Sequence, residues 1–280
     1  NSMAVSTETS SKLYLDILVQ VLQRHNISEE DFLKNNKLLN ASTTRLPVND
    51  ALQYWSSAAE ISQCKTLGLE AGQHVHPSDY GILSHVWMNC SNLLEAALLT
   101  VKYKSLMNSG FQAEIESAKP GYKTYILKFP GVELQHASAF IELDFASILH
   151  LGRFLCGSSY KDKVVLEEVS FKHAPNADIE VYEQIFACPV KFKQKQNHII
   201  CSDQTLLIPV HAPNKTLRDT MIKMVDRIVA IELGHQRFTS RVTRYIEKNL
   251  DQGLPDANAA AKNFGCSLST LKRNLQSEGA

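Results

Sequence analysis

The side chains best placed to do chemistry in this sequence are two adjacent cations and a scattering of histidines. Lys272 and Arg273 stand side by side in a stretch where Leu268, Leu271 and Leu275 fall at i, i+3 and i+7. That spacing predicts a helix with one apolar stripe, leaving Ser269, Thr270, Lys272, Arg273 and Gln276 outward. A guanidinium is a fixed fork of donors that matches a guanine edge or a phosphate, so the exposed face suits double-stranded DNA. The residues before it predict a shorter partner helix. Asp256 is placed to cap its start, Gly265 to end it in the left-handed conformation and Ser267 to cap the second helix. Ala260 and Ala261 let the two helices cross closely, with Phe264 between them. The same spacing also fits an ordinary helical hairpin at a domain edge.

The histidines point elsewhere. His74 and His76 lie two residues apart and His173 precedes Pro175. A metal site wants further His, Cys or carboxylate ligands at recognisable spacing, and His-x-His alone is a weak hint. No HExxH helix, P-loop, dinucleotide fingerprint or nucleophile elbow occurs in the sequence. The histidines therefore read as structural hydrogen-bonding residues, and the expectation is no enzyme, no cofactor and no metal. A buried histidine serving as a haem or metal ligand in a sensor is the alternative, with an enzyme using a His-containing pocket the least favoured. The six cysteines form no CxxC or other close pair and read as reduced core thiols.

The elements that would position these groups are readable from periodicity. Leu13, Ile17 and Val21, with Leu18 and Leu22, give an amphipathic first helix; Ser28 with Asp31 opens a short second one. Pro47 begins a helical run through Trp55 and Ile61. Asn92 and Glu95 have capping-box spacing, and the helix behind them is expected to reach about Met107. After the Pro120-Gly121 turn, residues 122–129 alternate as a strand, as do 164–171 and 190–198. Between them residues 141–156 read as a long helix. Lys191, Lys193 and Lys195 would share one face of a strand, read as solvated sheet surface or as an attractor of anions.

Residues 216–233 form one more helix, in which Leu217, Met221, Met224, Ile228 and Ile231 are spaced four, three, four and three apart. That is a two-heptad seam suited to a homodimer. Ile222, Val225 and Val229 widen it, so packing onto its own domain competes with pairing. The helix 241–250 would then support the crossing pair through Val242, Tyr245 and Ile246.

Lys and Arg number 29 against 29 Asp and Glu in 280 residues, but residues 237–280 hold seven basic side chains against four acidic ones. A basic end on a slightly acidic body suits a DNA module attached to a sensor. No stretch approaches the ~18 apolar residues of a membrane span, and no export signal is evident, so a cytoplasmic protein is expected.

The run Ala261, Gly265, Ser267, Thr270, Leu271, Arg273, Leu275, Glu278, Gly279 resembles the first helix-turn-helix of AraC/XylS-type transcriptional regulators. Ala260 and Ser269 depart from that pattern, where a larger aliphatic residue and an arginine are usual. Leu67 to Met107 resembles the amino-terminal sensor region called arabinose-binding. Phe171, His173, Pro175, Tyr182, Phe186, Pro189, Val190, Phe192, Asn197, Leu206 and Pro209 follow the same family's order. The resemblance implies a small-molecule effector, which in such sensors ranges over amino acids, fatty-acid-like compounds and signalling metabolites. It also implies a DNA operator, and RNA polymerase as a partner if the protein is an activator.

The expected architecture is an α+β sensor domain followed by an all-α helix-turn-helix DNA-binding domain. Residues 12–233 would be the effector-sensing and dimerisation domain, with 216–233 its closing helix, 234–239 a linker and 240–280 the first helix-turn-helix. The family's second helix-turn-helix is not encoded, so the chain reads as naturally short or truncated. Trp87, Tyr103, Phe171 and His173 are the effector-lining candidates, taken from where the resemblance is densest.

Overall fold

The computed structural model describes residues 8–36, 44–132, 134–232, 242, 245–246, 249 and 256–277. The chain divides into a compact unit Thr9–Arg227 and a second that takes in Ile228 onward. The larger unit opens with strand β1 (Thr9–Ser11), helices α1 (Leu13–Arg24) and α2 (Glu29–Asn35), strand β2 (Arg45–Pro47) and helix α3 (Val48–Ser62). Helices α4 (Leu67–His74), α5 (Ile82–Trp87), α6 (Leu93–Lys102) and α7 (Lys104–Met107) follow, then strands β3 (Gln112–Lys119) and β4 (Tyr122–Lys128). The long helix α8 (Leu134–Cys156) leads to β5 (Glu168–Ser170), α9 (Ile179–Phe186), β6 (Val190–Lys191), β7 (Asn197–Ser202), α10 (Asp203–Leu206) and α11 (Lys215–Glu232).

Local chemistry explains most of these boundaries. The apolar face of α1 buries Ile17, Leu18, Val21 and Leu22. Ser28 Oγ accepts the Asp31 N–H at 3.1 Å, and Asn92 Oδ1 accepts that of Glu95 at 3.0 Å, satisfying free donors at two helix starts. The helix expected to run to Met107 stops at Lys102 instead. Tyr103 leaves helical geometry, and α7 resumes for four residues.

Five strands pair in the order β3-β4-β7-β5-β6, antiparallel except for the β5–β6 pair. The strand expected over 190–198 is broken in two. Lys193 adopts a left-handed φ of 57°. The backbone turns because the Lys193 N–H bonds the His173 carbonyl and the Gln194 N–H that of Phe171. Only Lys191 of the three alternating lysines is in a strand, so they share no sheet face; Lys191 Nζ pairs with Glu168 at 2.6 Å. Strand β5 covers Glu168–Ser170 rather than the whole of 164–171.

Helix α8 is the spine of the unit, and α4 lies against it at very short range. A Cβ on Gly68 would sit 2.2 Å from the Ala139 carbonyl oxygen, and one on Gly72 2.5 Å from the Ala146 Cβ. Glycine at both positions is what lets the two helices touch.

In the second unit, helices α12 (Ala257–Asn263) and α13 (Leu268–Ser277) are joined by a turn in which Gly265 has a φ of 62°. Val242, Ala261 and Leu271 form its buried centre, with Ile246, Phe264, Leu268 and Leu275 packed around them. Ser267 Oγ accepts the Thr270 N–H at 3.2 Å, whereas Asp256 stands at the helix start without a side-chain cap bond. Linker residues 234–239 lie outside the described residues, as does most of 241–250. Among the described residues no helix is long and apolar enough to cross a membrane.

Candidate functional site

A cavity of about 130 Å³ opens between α6, α8 and one face of the sheet. Its sheet wall follows from register. Ile115, Tyr125 and Ile199 pair directly across β3, β4 and β7, and Lys123 pairs with Cys201 one step along. Because alternate residues share a face, this whole row looks the same way. Helix α6 contributes Leu93, Ala96, Ala97 and Thr100, spaced to lie on one side. Helix α8 contributes Asp144, Ser147, Ile148, Leu151, Gly152 and Leu155 by the same logic.

Asp144 is a buried charge on the wall of this largely apolar space, which Thr100, Lys123 and Thr205 also line. The Asp144 carboxylate receives the Lys104 ammonium on one oxygen and the Tyr125 hydroxyl, at 3.0 Å, on the other. Lys104 and Asp144 are both buried. Burial and the neighbouring Asp144 charge push the Tyr125 and Tyr14 hydroxyls well above their ordinary range, so both stay neutral donors. Burial also raises Tyr80, which lines the cavity. The indole N–H of Trp87 is buried without a hydrogen-bond partner among the described residues, a donor left available beside the cavity.

Of the four lining candidates taken from sequence, Trp87 lines the cavity and the other three lie elsewhere. The Tyr103 hydroxyl donates to Asp226 of α11 at 2.8 Å. Phe171 is fully buried in an aromatic cluster with Phe145, Tyr182, Phe186 and Phe192. His173 is buried at the edge of that cluster, its Nδ1–H donating to the Ala174 carbonyl at 2.8 Å. Burial lowers its pKa, which favours the neutral ring. Sequence reasoning missed Asp144, Tyr125 and Lys104. The available signal was the acidic pair Glu142 and Asp144 set among the apolar Phe140, Ile141, Leu143 and Phe145 of α8.

Helix α6 is also a grip on α11. Arg218, itself buried, donates to Glu95 and, at 2.8 Å, to Asp219, while Lys102 Nζ reaches Asp226 at 3.1 Å. Val225 is fully buried, but Leu217, Met224 and Ile231 of the five-residue seam are exposed; Met221 and Ile228 are half-buried. On α13, Ser269, Lys272, Arg273 and Gln276 are exposed. Thr270 is half-buried, its hydroxyl 2.9 Å from Ser267 Oγ.

All six cysteines are free thiols. Burial raises Cys90 and Cys201 to about 12 and Cys156 and Cys188 to about 11, which makes these four poor nucleophiles. Among the described residues His25, Cys64 and Glu70 bring three possible metal-ligand atoms within 4.8 Å of one another.

Residues 27–210 match the family described as the arabinose-binding domain of AraC transcription regulator, N-term. The chain belongs to the AraC family of transcription regulators. This AraC-family chain is 23% identical over 271 residues to the Ornithine utilization regulator of Pseudomonas aeruginosa, a match covering 95% of this chain and 78% of that one. Its fold is similar to the crystal structure of the transcriptional regulator CdpR from Pseudomonas aeruginosa. There the TM-score is 0.51 at 15% identity, over 93% of this chain and 80% of that chain.

Proposed function

We propose that this protein is a ligand-responsive, sequence-specific DNA-binding regulator without catalytic activity, and that its effector occupies the cavity between α6, α8 and the sheet. The observation that carries the reading is the position of α6, which walls the cavity with Leu93, Ala96 and Thr100 and holds α11 through Glu95 and Lys102. A ligand that fits one placement of α6 better than another changes the hold on α11 by that difference in affinity. The exposed Leu217, Met224 and Ile231 support α11 as a seam shared by two copies, with Val225 turned to its own domain.

The cavity limits the effector class. Its volume is close to the roughly 150 Å³ of an engineered apolar cavity that accepts benzene, so a single ring or a short chain fits. Largely apolar walls with a few polar groups, Asp144 and Lys123 the charged ones, favour a compact molecule carrying a small polar head. An amino acid with several charges would leave some of them against hydrocarbon.

Gly152 tests this directly. It sits inside α8 on the cavity wall, and a Cβ there would meet only ordinary contacts, Val164 at 3.5 Å and Leu93 at 4.0 Å. Gly152→Ala should therefore stabilise the fold by roughly 0.5–1 kcal/mol in urea unfolding. Gly152→Phe should fill the space and abolish the rise in melting temperature that an aromatic acid or octanoate gives the parent protein. An equal rise in the Phe variant, or a rise with ornithine alone, would move the effector out of this cavity.

Arg273 is the proposed reader of a base edge on α13, flanked by Lys272 and Gln276, with Ser269 contributing less and Thr270 structural. Arg273→Ala should cost roughly 1–3 kcal/mol on operator DNA selected from a random pool, with relaxed preference at one base position. Binding is measured on selected and scrambled DNA across a salt series. An equal loss on both, with a salt slope lower by about one, would reassign the contact to phosphate.

A further inference from the structure

We propose that His25, Cys64 and Glu70 form a transition-metal site of the zinc class, independent of the effector cavity. The three residues come from separate segments. His25 follows the last turn of α1, Cys64 follows α3 after Gln63 turns the chain at a left-handed φ of 54°, and Glu70 lies on α4. Glu70 Oε2 is 2.8 Å from His25 Nε2 and 3.7 Å from Cys64 Sγ. Zinc bond lengths in a tetrahedron put such ligand atoms about 3.3 Å (N to O) and about 3.6 Å (S to O or S to N) apart. All three atoms already lie within 4.8 Å of one another, so a metal enters with side-chain shifts of about an ångström or less.

The other carboxylate oxygen is already engaged. Arg24 Nε holds Oε1 at 3.4 Å, which leaves Oε2 to ligate and fixes the carboxylate from behind. One nitrogen, one sulfur and one oxygen select a zinc-like ion over calcium or magnesium, which take oxygen almost throughout. The side chains of His25 and Glu70 remain 27% and 25% exposed. Solvent therefore has an entry path, and water supplies the fourth ligand. On binding, the thiol releases its proton to solvent, and the His25 ring carries its proton on Nδ1 rather than Nε2, giving up its bond to Glu70, so thiolate and carboxylate together balance a dication. Bound metal would tie the end of α1 to the α3–α4 connection.

The test uses the full chain, reduced and stripped of metal, titrated with cobalt(II) and then zinc(II). One equivalent of cobalt should give a thiolate-to-metal charge-transfer band that zinc displaces. Cys64→Ser should lose the band and Cys201→Ser should keep it. Loss of an outer-shell partner typically weakens a metal site about 10–100-fold, so His25→Ala should weaken this one at least that much. Zinc should raise the melting temperature of the parent and not of Cys64→Ser. No thiolate band in the parent, a band that survives Cys64→Ser, or saturation only at millimolar cobalt would overturn the site. The parent spectrum decides even if a variant folds poorly.

Discussion

Lys104→Met is expected to destabilise the protein by roughly 3–5 kcal/mol, because it strands the Asp144 carboxylate in the interior. Both partners are almost wholly buried, at 2% and 5% side-chain exposure, so bulk water reaches the carboxylate poorly. The Tyr125 hydroxyl would remain as a donor, but one neutral hydrogen bond does not offset a desolvated charge. The cost is that of an orphaned ion rather than the value of the pair. Accordingly the double change Lys104→Met with Asp144→Leu should recover most of the loss, since well-packed apolar replacements of a buried pair are often neutral. The measurement is urea unfolding, read as a lower midpoint at an unchanged slope. A loss under about 1 kcal/mol for the single change would mean that the corner is wet and the pair behaves as a surface one. Because Asp144 also lines the cavity, the double variant additionally tests whether the proposed effector uses this carboxylate.

Sequence periodicity made the helices legible and the site only partly so. The stripes of α1, α11 and α13 are visible because their apolar residues recur within one or two turns. Strand β3 escaped notice because Glu114 and Glu116 alternate with partly buried neighbours on an outer strand, which reads as polar chain. The break at Lys193 is set by bonds to His173 and Phe171, some twenty residues back, and no local pattern encodes it. The same holds for the cavity and for the His25 cluster. Asp144 meets Lys104 forty positions away, and His25 meets Glu70 forty-five away. Of the lining candidates named from the resemblance, Trp87 faces this cavity, whereas Tyr103, Phe171 and His173 face other parts of the unit. An aromatic or imidazole ring in a well-matched stretch says nothing about which side of its element faces a cavity.

Glu142 carries the second large effect, and it is one that pH exposes. Its carboxyl is wholly buried on α8, where Oε1 accepts the Tyr182 hydroxyl at 2.7 Å and the Asn176 amide at 3.1 Å. Oε2 has no partner among the described residues. Burial outweighs those two hydrogen bonds and pushes the carboxyl up to about 8. At neutral pH it is therefore a protonated acid, 3.7 Å from the unpartnered Nε2 of a neutral His173. A folded-state pKa above the unfolded one makes stability highest at low pH. Below the ordinary carboxylate range both states hold the proton; between there and about pH 8 only the folded state keeps it, and stability falls with each unit. Above that both are ionised and the cost stays constant, at roughly 3–5 kcal/mol. His173 acts in the opposite sense, since its lowered pKa costs stability as pH drops below its ordinary range. Comparison with Glu142→Gln isolates the carboxyl. The amide oxygen can still accept from Tyr182 and Asn176, and the amide cannot ionise. The variant should match the parent near pH 5 and exceed it by a margin that widens steadily toward pH 8, measured as unfolding free energy at each pH in one buffer system. A margin that stays flat over that range would show that Glu142 titrates as a solvated carboxylate, and the buried acid would not exist.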